Sequence, residues 1–453
     1  MCIRDSTNTT TRISNGIGGA QSNGLSLNPV ISQSGRYIAY ESRATNLVSG
    51  DTNSQSDIFL YDTTTAATTR LSVSSTGAQA TAFSADAVIS GDGSTVAFNS
   101  IATDLVAGDA NTAGDVFVRN IAAGTTVIAS RATNGTQGNA ASGAEDISLS
   151  SDGKLIAFDS IATNLVAGDT NARLDVFVRD LTIPAIPTTT RVSVSSGGLQ
   201  GNDDSYLDVI TPDGKYILFD SFATNLVSDD TNGSADVFIY ERAAGITLRV
   251  SLGVGGVEGN DETSIADISA DASVLVFKGS ATNLVPNDTN EFTDIFVRQP
   301  LNLPVTLSGT LTLQGISPTA PDQTLTFSFR TGGVDTVKTI LVSPSGAFAI
   351  AGLPRANYTV LISGGSYLSK RIAVDLSEGN VTLPAPVLVK TGDGTRDNAA
   401  DIADLLRLIR AYNQISPSLS YDEGVDFNLD QVNDIGDLLL LIGNYNVLGD
   451  ILP

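Results

Sequence analysis

The sequence predicts a mainly β protein: a β-propeller, then a small antiparallel β-sandwich, then a short α-helical C-terminal segment built on two acidic loops. Three observations carry this. The stretch FDSIATNLVAGDTNARLDVFVRD at 158–180 has four sister copies, whose alanines with its own (Ala44, Ala102, Ala162, Ala223, Ala281) lie 58 to 61 residues apart. The period stops at Pro300 and Pro304, and short alternating strands take over. Beyond the PAP at 384–386, two acidic twelve-residue stretches each open an apolar run of helical length.

Each copy is preceded by a turn and strand, as in SSDGKLIAF ending at Phe158, and the first four are followed by a TTR-type strand such as TTRVSVS from Thr189. The unit therefore reads as four short strands, the content of one propeller blade. Five blades are visible over residues 8–299. TNTTTRIS from Thr7 matches the strand that ends a unit, so the ring is expected to be cut from one of six or more blades. The opening MCIRDS matches nothing downstream. The last unit lacks its final strand, and the segment at 9–14 is expected to fill that place and close the ring, hiding both sheet edges. Tyr40, Phe98, Phe158, Phe219 and Phe277, with Phe59, Phe117, Phe177, Phe238 and Phe296, are expected in the core between blades. The leucine of each ATNLV-type turn is expected to plug the gap between neighbours.

The turn "S-x-DG-[KR]-x-[IL]-x-[FY]", here SSDGKLIAF from Ser150 and TPDGKYILF from Thr211, followed by DVFVRD or DIFLYD, resembles the TolB-like family of bacterial β-propellers. The resemblance covers 8–299 and implies a scaffold rather than a reaction. Its expected role is an interaction platform for a protein or polysaccharide ligand.

Composition narrows the chemistry. A net charge of −24 and a pI near 4.1 repel nucleic acid and anionic lipid and suit a protein that meets divalent cations. The chain has no histidine, which excludes a Ser-His-Asp triad, His-ligated zinc and imidazole acid–base steps. Cys2 is its one cysteine, so no disulfide forms within the chain, and tryptophan, the commonest sugar-stacking platform, is absent. No apolar run is long enough to span a membrane.

Residues 303–388 read as the sandwich, with strands in LSGTLTLQG, QTLTFSFRT, VKTILVS, GAFAIAGLP, NYTVLISG and KRIAVDLS. GAFAIAGLPRANYTVLISG resembles the transthyretin- or carboxypeptidase-regulatory-like sandwiches of secreted bacterial proteins, which implies a spacer.

The sharpest motif lies at 391–450. Asp393, Thr395, Asp397, Asp401 and Asp404 recur thirty-three residues on as Asp426, Asn428, Asp430, Asp434 and Asp437. These are positions 1, 3, 5, 9 and 12 of EF-hand-type loops, the carbonyls of Ala399 and Val432 standing at position 7. Six to eight oxygens at such spacing can wrap one calcium ion, and without a cation the carboxylates repel one another. The duplicated loop and helix resembles a type I dockerin, the calcium-dependent module that docks onto cohesin domains. The resemblance implies calcium held by the ten side chains and two carbonyls just named, a cohesin-like partner, and an extracellular or cell-surface location. Thr395 departs from the usual Asp or Asn. Position 6, usually glycine, is Asn398 in one loop and Gln431 in the other, and glutamine adopts a positive φ poorly. Ile402-Ala403 and Ile435-Gly436 replace the Ser-Thr recognition pair. Leu405, Leu406, Leu408 and Ile409, with Leu438, Leu439, Leu441 and Ile442, are expected between the two helices, leaving Arg407 and Arg410 to meet an acidic partner.

Two further patterns stand open. Asp51/Asn53/Asp57, Asp109/Asn111/Asp115, Asp169/Asn171/Asp175, Asp230/Asn232/Asp236 and Asp288/Asn290/Asp294 form D-x-N-x-x-x-D, read either as Asx-turns that aim the next strand or as a weak cation site per blade. The alternative to a non-catalytic scaffold is a propeller glycoside hydrolase or lyase using paired carboxylates. Glu41, Glu241, Glu262 and Asp203-Asp204 break the repeat pattern, but nothing in the sequence pairs them.

Overall fold

The computed structural model describes residues 10–299, 303, 305–377, 381–416, 422 and 425–449. The chain forms two compact units, Met1–Leu301 and Asn302–Pro453.

In the first unit each repeat is one antiparallel sheet with its strands in sequence order. Repeat three is typical: Ser142–Leu149, Leu155–Ser160, Asp175–Asp180 and Thr188–Arg191. Repeats one to four have four strands and the fifth has three, Thr263–Ile268, Leu275–Gly279 and Asp294–Arg298. The first strands of successive repeats pack against one another, so the sheets radiate from a shared axis as propeller blades do. In every repeat the aromatic of the second strand pairs with that of the third, and the rings stack at 5.6 to 6.0 Å. These ten rings are buried, and so are Leu47, Leu105, Leu165, Leu226 and Leu284 of the ATNLV-type turns. The turn between first and second strands places Gly35, Gly93, Gly153 and Gly214 at φ of 66 to 73°. In repeat five Ala272 holds the same place at φ 55°.

The expected closing strand is corrected. Thr9 lies outside the described residues, and residues 10–14 form no strand. Ile13 instead packs with Tyr40, Ala44, Leu47 and Phe59 of the first repeat, and Arg12 bonds Asn15 at 2.8 Å. The apolar side of repeat five (Ile295, Val297) stays exposed, as do Leu25, Leu27 and Ile31 of repeat one.

The second unit begins with a two-sheet sandwich. One sheet joins Val334–Val342, Gln323–Thr331, Asn357–Gly364 and Tyr367–Asp375 in that order. The other is built on Val305–Leu313, antiparallel to Ala347–Leu353. It departs from pure antiparallel pairing, because Val381–Thr382 and Val387–Val389 run parallel to Val305–Leu313. The inward faces alternate along each strand, and Leu307, Leu325, Phe327, Phe329, Val360 and Ile362 fill the core. Two ten-residue helices follow, α1 (Ile402–Ala411) and α2 (Ile435–Asn444).

Candidate functional site

The two helices and their loops are copies in three dimensions as well as in sequence. Asp401 and Asp434 cap α1 and α2, accepting from the Ala403 and Gly436 N–H at 2.7 Å. Asp404 and Asp437, one turn in, reach back to the Asp401 and Asp434 N–H at 2.8 and 2.9 Å and complete the capping boxes. The same two carboxylates also accept from inside the loops, Asp404 from the Thr395 N–H and Asp437 from the Phe427 N–H. Asp393 accepts from the Asp397 and Asn398 N–H, and Asp426 from the Asp430 and Gln431 N–H. The first and twelfth residues of each loop are thus buried carboxylates, around which the loop backbone is wrapped.

Asp397 and Asp430 accept from the Ala399 and Val432 N–H at 3.1 and 2.9 Å, and Asn428 donates to Asp430 at 2.9 Å. Asn398 and Gln431 take φ of 68 and 71°, so the glutamine does adopt the conformation that the sixth position requires. Burial, with Asp426 close by, pushes the Asp437 carboxyl up to about 6, and burial likewise raises Asp393. The loops are cross-tied: Ala399–Ala400 pairs with Val447–Leu448 beyond α2, and Val432–Asn433 with Gln414–Ile415 beyond α1.

The helix faces correct the sequence reading. Leu408 and Leu441 are buried and Leu405 and Leu438 partly so, as expected. Leu406 and Leu439, however, are 49% and 62% exposed, and Ile409 and Ile442 are exposed with them. Ile402, Leu406 and Ile409 form a stripe at i, i+4, i+7 on α1, repeated on α2 by Ile435, Leu439 and Ile442. Arg407 is also reassigned: it forms a two-pronged ion pair with Asp422 at 2.6 and 2.7 Å and bonds the Gly394 carbonyl. Behind α2 the sandwich takes up the rest of the surface. Leu440 lies against Gly315, Asn444 donates to Gln314 and Thr391, the Ser317 N–H reaches the Asn428 carbonyl, and Leu368 enters the helical core.

In the repeats, the D-x-N-x-x-x-D segments are turns. Each asparagine Oδ1 accepts from the N–H two residues on, as Asn53 does from Gln55 at 2.9 Å. The two aspartates are met by an arginine of the fourth strand in repeats one, three and four: the half-buried Arg70 and Arg191 and the buried Arg249. Glu41 accepts from Ser56, Glu262 from Ser264, Glu241 from the Ala244 N–H, and Arg173 pairs with Asp203 and Asp204.

The carboxylates that do gather are others. Every first strand carries a register shift against its neighbour, and Asp86, Asp146 and Asp208 sit at three of these bulges. Asp159 accepts from the Asp146 N–H at 3.1 Å, and Asp208 from the Ala266 N–H of the next repeat at 2.9 Å. Burial and then Asp220 push Asp208 up to about 8, while burial raises Asp159 to about 7 and Asp146 and Asp220 to about 6. Asp146 also acts on Asp208 and Asp159, and Asp86 on Asp146, so bulges of three neighbouring repeats share one field. The sequence reading missed this group. A lone Asp before a β-branched run (DVI at 208–210) was its only trace.

The architecture thus defines a class: a multimodular β-rich protein ending in a twinned acidic loop-and-helix pair that presents two like apolar stripes. The chain matches no known protein-family model. Over 233 residues, half of this chain, it is 25% identical to cellulosomal-scaffolding protein B of Acetivibrio thermocellus and spans 28% of that protein's length. Among solved structures, a chain of a mutant type II cohesin–X–dockerin complex from Acetivibrio cellulolyticus is similar over 32% of this chain and 97% of its own, at 27% identity and a TM-score of 0.28. The β-propeller domain of the trilobed protease from Pyrococcus furiosus is similar over 77% of this chain and 97% of its own, at 10% identity and a TM-score of 0.37.

Proposed function

We propose that this chain is an extracellular, cellulosome-associated binding protein whose calcium-loaded C-terminal module docks onto a cohesin-type partner. The repeats (8–299) act as an interaction platform without catalysis, the sandwich (303–388) as a spacer, and residues 391–450 as the docking module. The observation that carries the reading is the pair of exposed Ile-Leu-Ile stripes, one per helix, each beside its own acidic loop. Water-facing apolar stripes repeated at equivalent places suit a partner surface better than chance exposure. The scaffolding-protein relative supports the setting. No helix among the described residues is long and apolar enough to cross a membrane.

The residues fit calcium. Asp393 with Asp404, and Asp426 with Asp437, bury two carboxylates per loop, and burial beside Asp426 raises Asp437 as expected where a cation is called for. Asp393, Thr395, Asp397, Asp401, Asp404 and the Ala399 carbonyl would hold one ion. Asp426, Asn428, Asp430, Asp434, Asp437 and the Val432 carbonyl would hold the other, all through oxygen. Calcium would supply the charge that lets each loop close. The test is capture of the full chain by purified cohesins, with millimolar calcium and with a chelator. Calcium-dependent capture is expected, and no capture by any cohesin in calcium overturns the reading.

A second reading, a glycoside hydrolase or lyase, is favoured by one observation: the bulge carboxylates combine groups raised to between about 6 and 8. Release of reducing ends from plant or algal polysaccharides, lost in Asp208→Asn and Asp159→Asn, would establish it over the scaffold reading.

A further inference from the structure

The repeats serve as internal controls for one another at the D-x-N-x-x-x-D turn. In the first three, a glutamine reaches back across the turn and its Nε2 donates to both aspartates. Gln79 does so to Asp51 and Asp57 at 2.9 and 3.1 Å, Gln137 to Asp109 and Asp115 at 2.7 Å each, and Gln200 to Asp169 and Asp175 at 2.9 and 3.4 Å. The fourth repeat has Glu258 at this place, and a carboxylate only accepts.

The consequence falls on Asp230. Its side chain is 1% exposed, yet neither carboxylate oxygen receives a hydrogen bond. Arg249 does not replace the lost donor. Its NH1 stands 2.6 Å from Glu258 and 3.0 Å from Asp236 but 3.7 Å from Asp230, beyond hydrogen-bond reach. Glu258 is anchored by the Thr231 N–H at 2.8 Å and the Thr231 hydroxyl at 2.5 Å. One oxygen from each of Asp230, Asp236 and Glu258 lies within 4.8 Å of the others. That is the span which a calcium ion bridges with ligands at about 2.3–2.6 Å. Arg249 also pairs with Asp229 at 3.6 Å, so four carboxylates meet one guanidinium and leave three negative charges, which a divalent cation offsets in part. Burial and then Asp236 push Asp230 up to about 6, against the opposing pull of Arg249.

We propose that the fourth repeat binds a divalent, oxygen-preferring cation, calcium by size, between Asp230, Asp236 and Glu258. The site is separate from the C-terminal loops. Arg249, whose NH1 contacts Glu258 and Asp236, stays beside the ion, and Asp230 supplies oxygens that receive no hydrogen bond.

The test counts bound calcium by equilibrium dialysis on the full chain carrying Asp404→Ala and Asp437→Ala, so that the tail loops are disabled. One ion per chain should remain, with a dissociation constant of about 10⁻⁴ to 10⁻³ M, as for extracellular modules. Adding Glu258→Gln should weaken it at least tenfold. That substitution installs the residue of the three sister repeats, so its folding is provided for, and unchanged circular dichroism without calcium checks this. Asp230→Asn should act in the same direction. A tail-disabled chain that binds no calcium at about ten times these concentrations overturns the proposal, as does undiminished binding by Glu258→Gln. A chain that binds none but gains stability as Asp230 is protonated near pH 6 overturns it too, in favour of a proton at this place.

Discussion

At the scale of single residues, the buried aspartates differ in how fully donors meet them. Asp57, Asp115 and Asp175 each accept from a serine hydroxyl and from the bridging glutamine, whereas one oxygen of Asp208 is buried with no donor at all. The sign of the pH effect follows. The folded-state pKa of Asp208 is raised from 3.8 to about 8, so the fold prefers its protonated form. Its contribution to stability is full below about pH 4 and is lost as pH rises through 8. Asp159 behaves alike with its upper limit near 7. The melting temperature of residues 10–299 should therefore fall between pH 5 and pH 8, and Asp208→Asn should recover about 2–4 °C at pH 8 by differential scanning calorimetry. Ala272 offers a simpler case. It holds φ 55° where the sister repeats have glycine, so Ala272→Gly should stabilise the repeat unit by about 1 kcal/mol in urea unfolding.

At the scale of elements, each helix divides its surface three ways: one side faces its twin, one the sandwich or linker, and one solvent. Leu408 and Leu441 serve the first, Leu440 and Arg407 the second, and the Ile-Leu-Ile stripes the third. The stripes are equivalent, so either helix offers a partner the same pattern. Leu406→Asp or Leu439→Asp alone should leave cohesin capture within about threefold. The double substitution should remove it by more than a hundredfold in surface plasmon resonance, since a charge then faces each apolar contact. Arg407→Ala should instead cost the module about 1 kcal/mol of its own stability through the lost Asp422 pair, and change capture little.

At the scale of the whole molecule, the sandwich and helical tail fold as one unit from Asn302 to Pro453, with Leu368, Gln314 and Gly315 of the sandwich completing the tail's packing. A fragment starting at 391 lacks all three. It should show less helix by circular dichroism than residues 302–453 in the same calcium. Calcium at tenfold its dissociation constant should add roughly 1.4 kcal/mol per site to the longer fragment. Asp404→Ala with Asp437→Ala should abolish that gain, and an unchanged melting curve on calcium addition would count against the loops as binding sites.

What the sequence by itself determined is what repeats or is local. The five aromatic pairs and the buried turn leucines could be read because each repeat buries the same faces in the same order. The acidic loops could be read because their donors lie within twelve residues of one another. The tertiary structure decided whatever depends on distant meetings. Asp146 and Asp208 come from different repeats, and only the bulges of the first strands bring them into one field. The run Leu438–Leu441 is apolar all round, so no periodicity reveals which leucine faces the twin helix, the sandwich or water. The segment at 10–14 resembles a closing strand by composition, yet Ile13 finds its apolar partners in the first repeat. Strand composition states a preference for pairing, and packing selects the partner, because burial rewards whichever apolar surface is nearest.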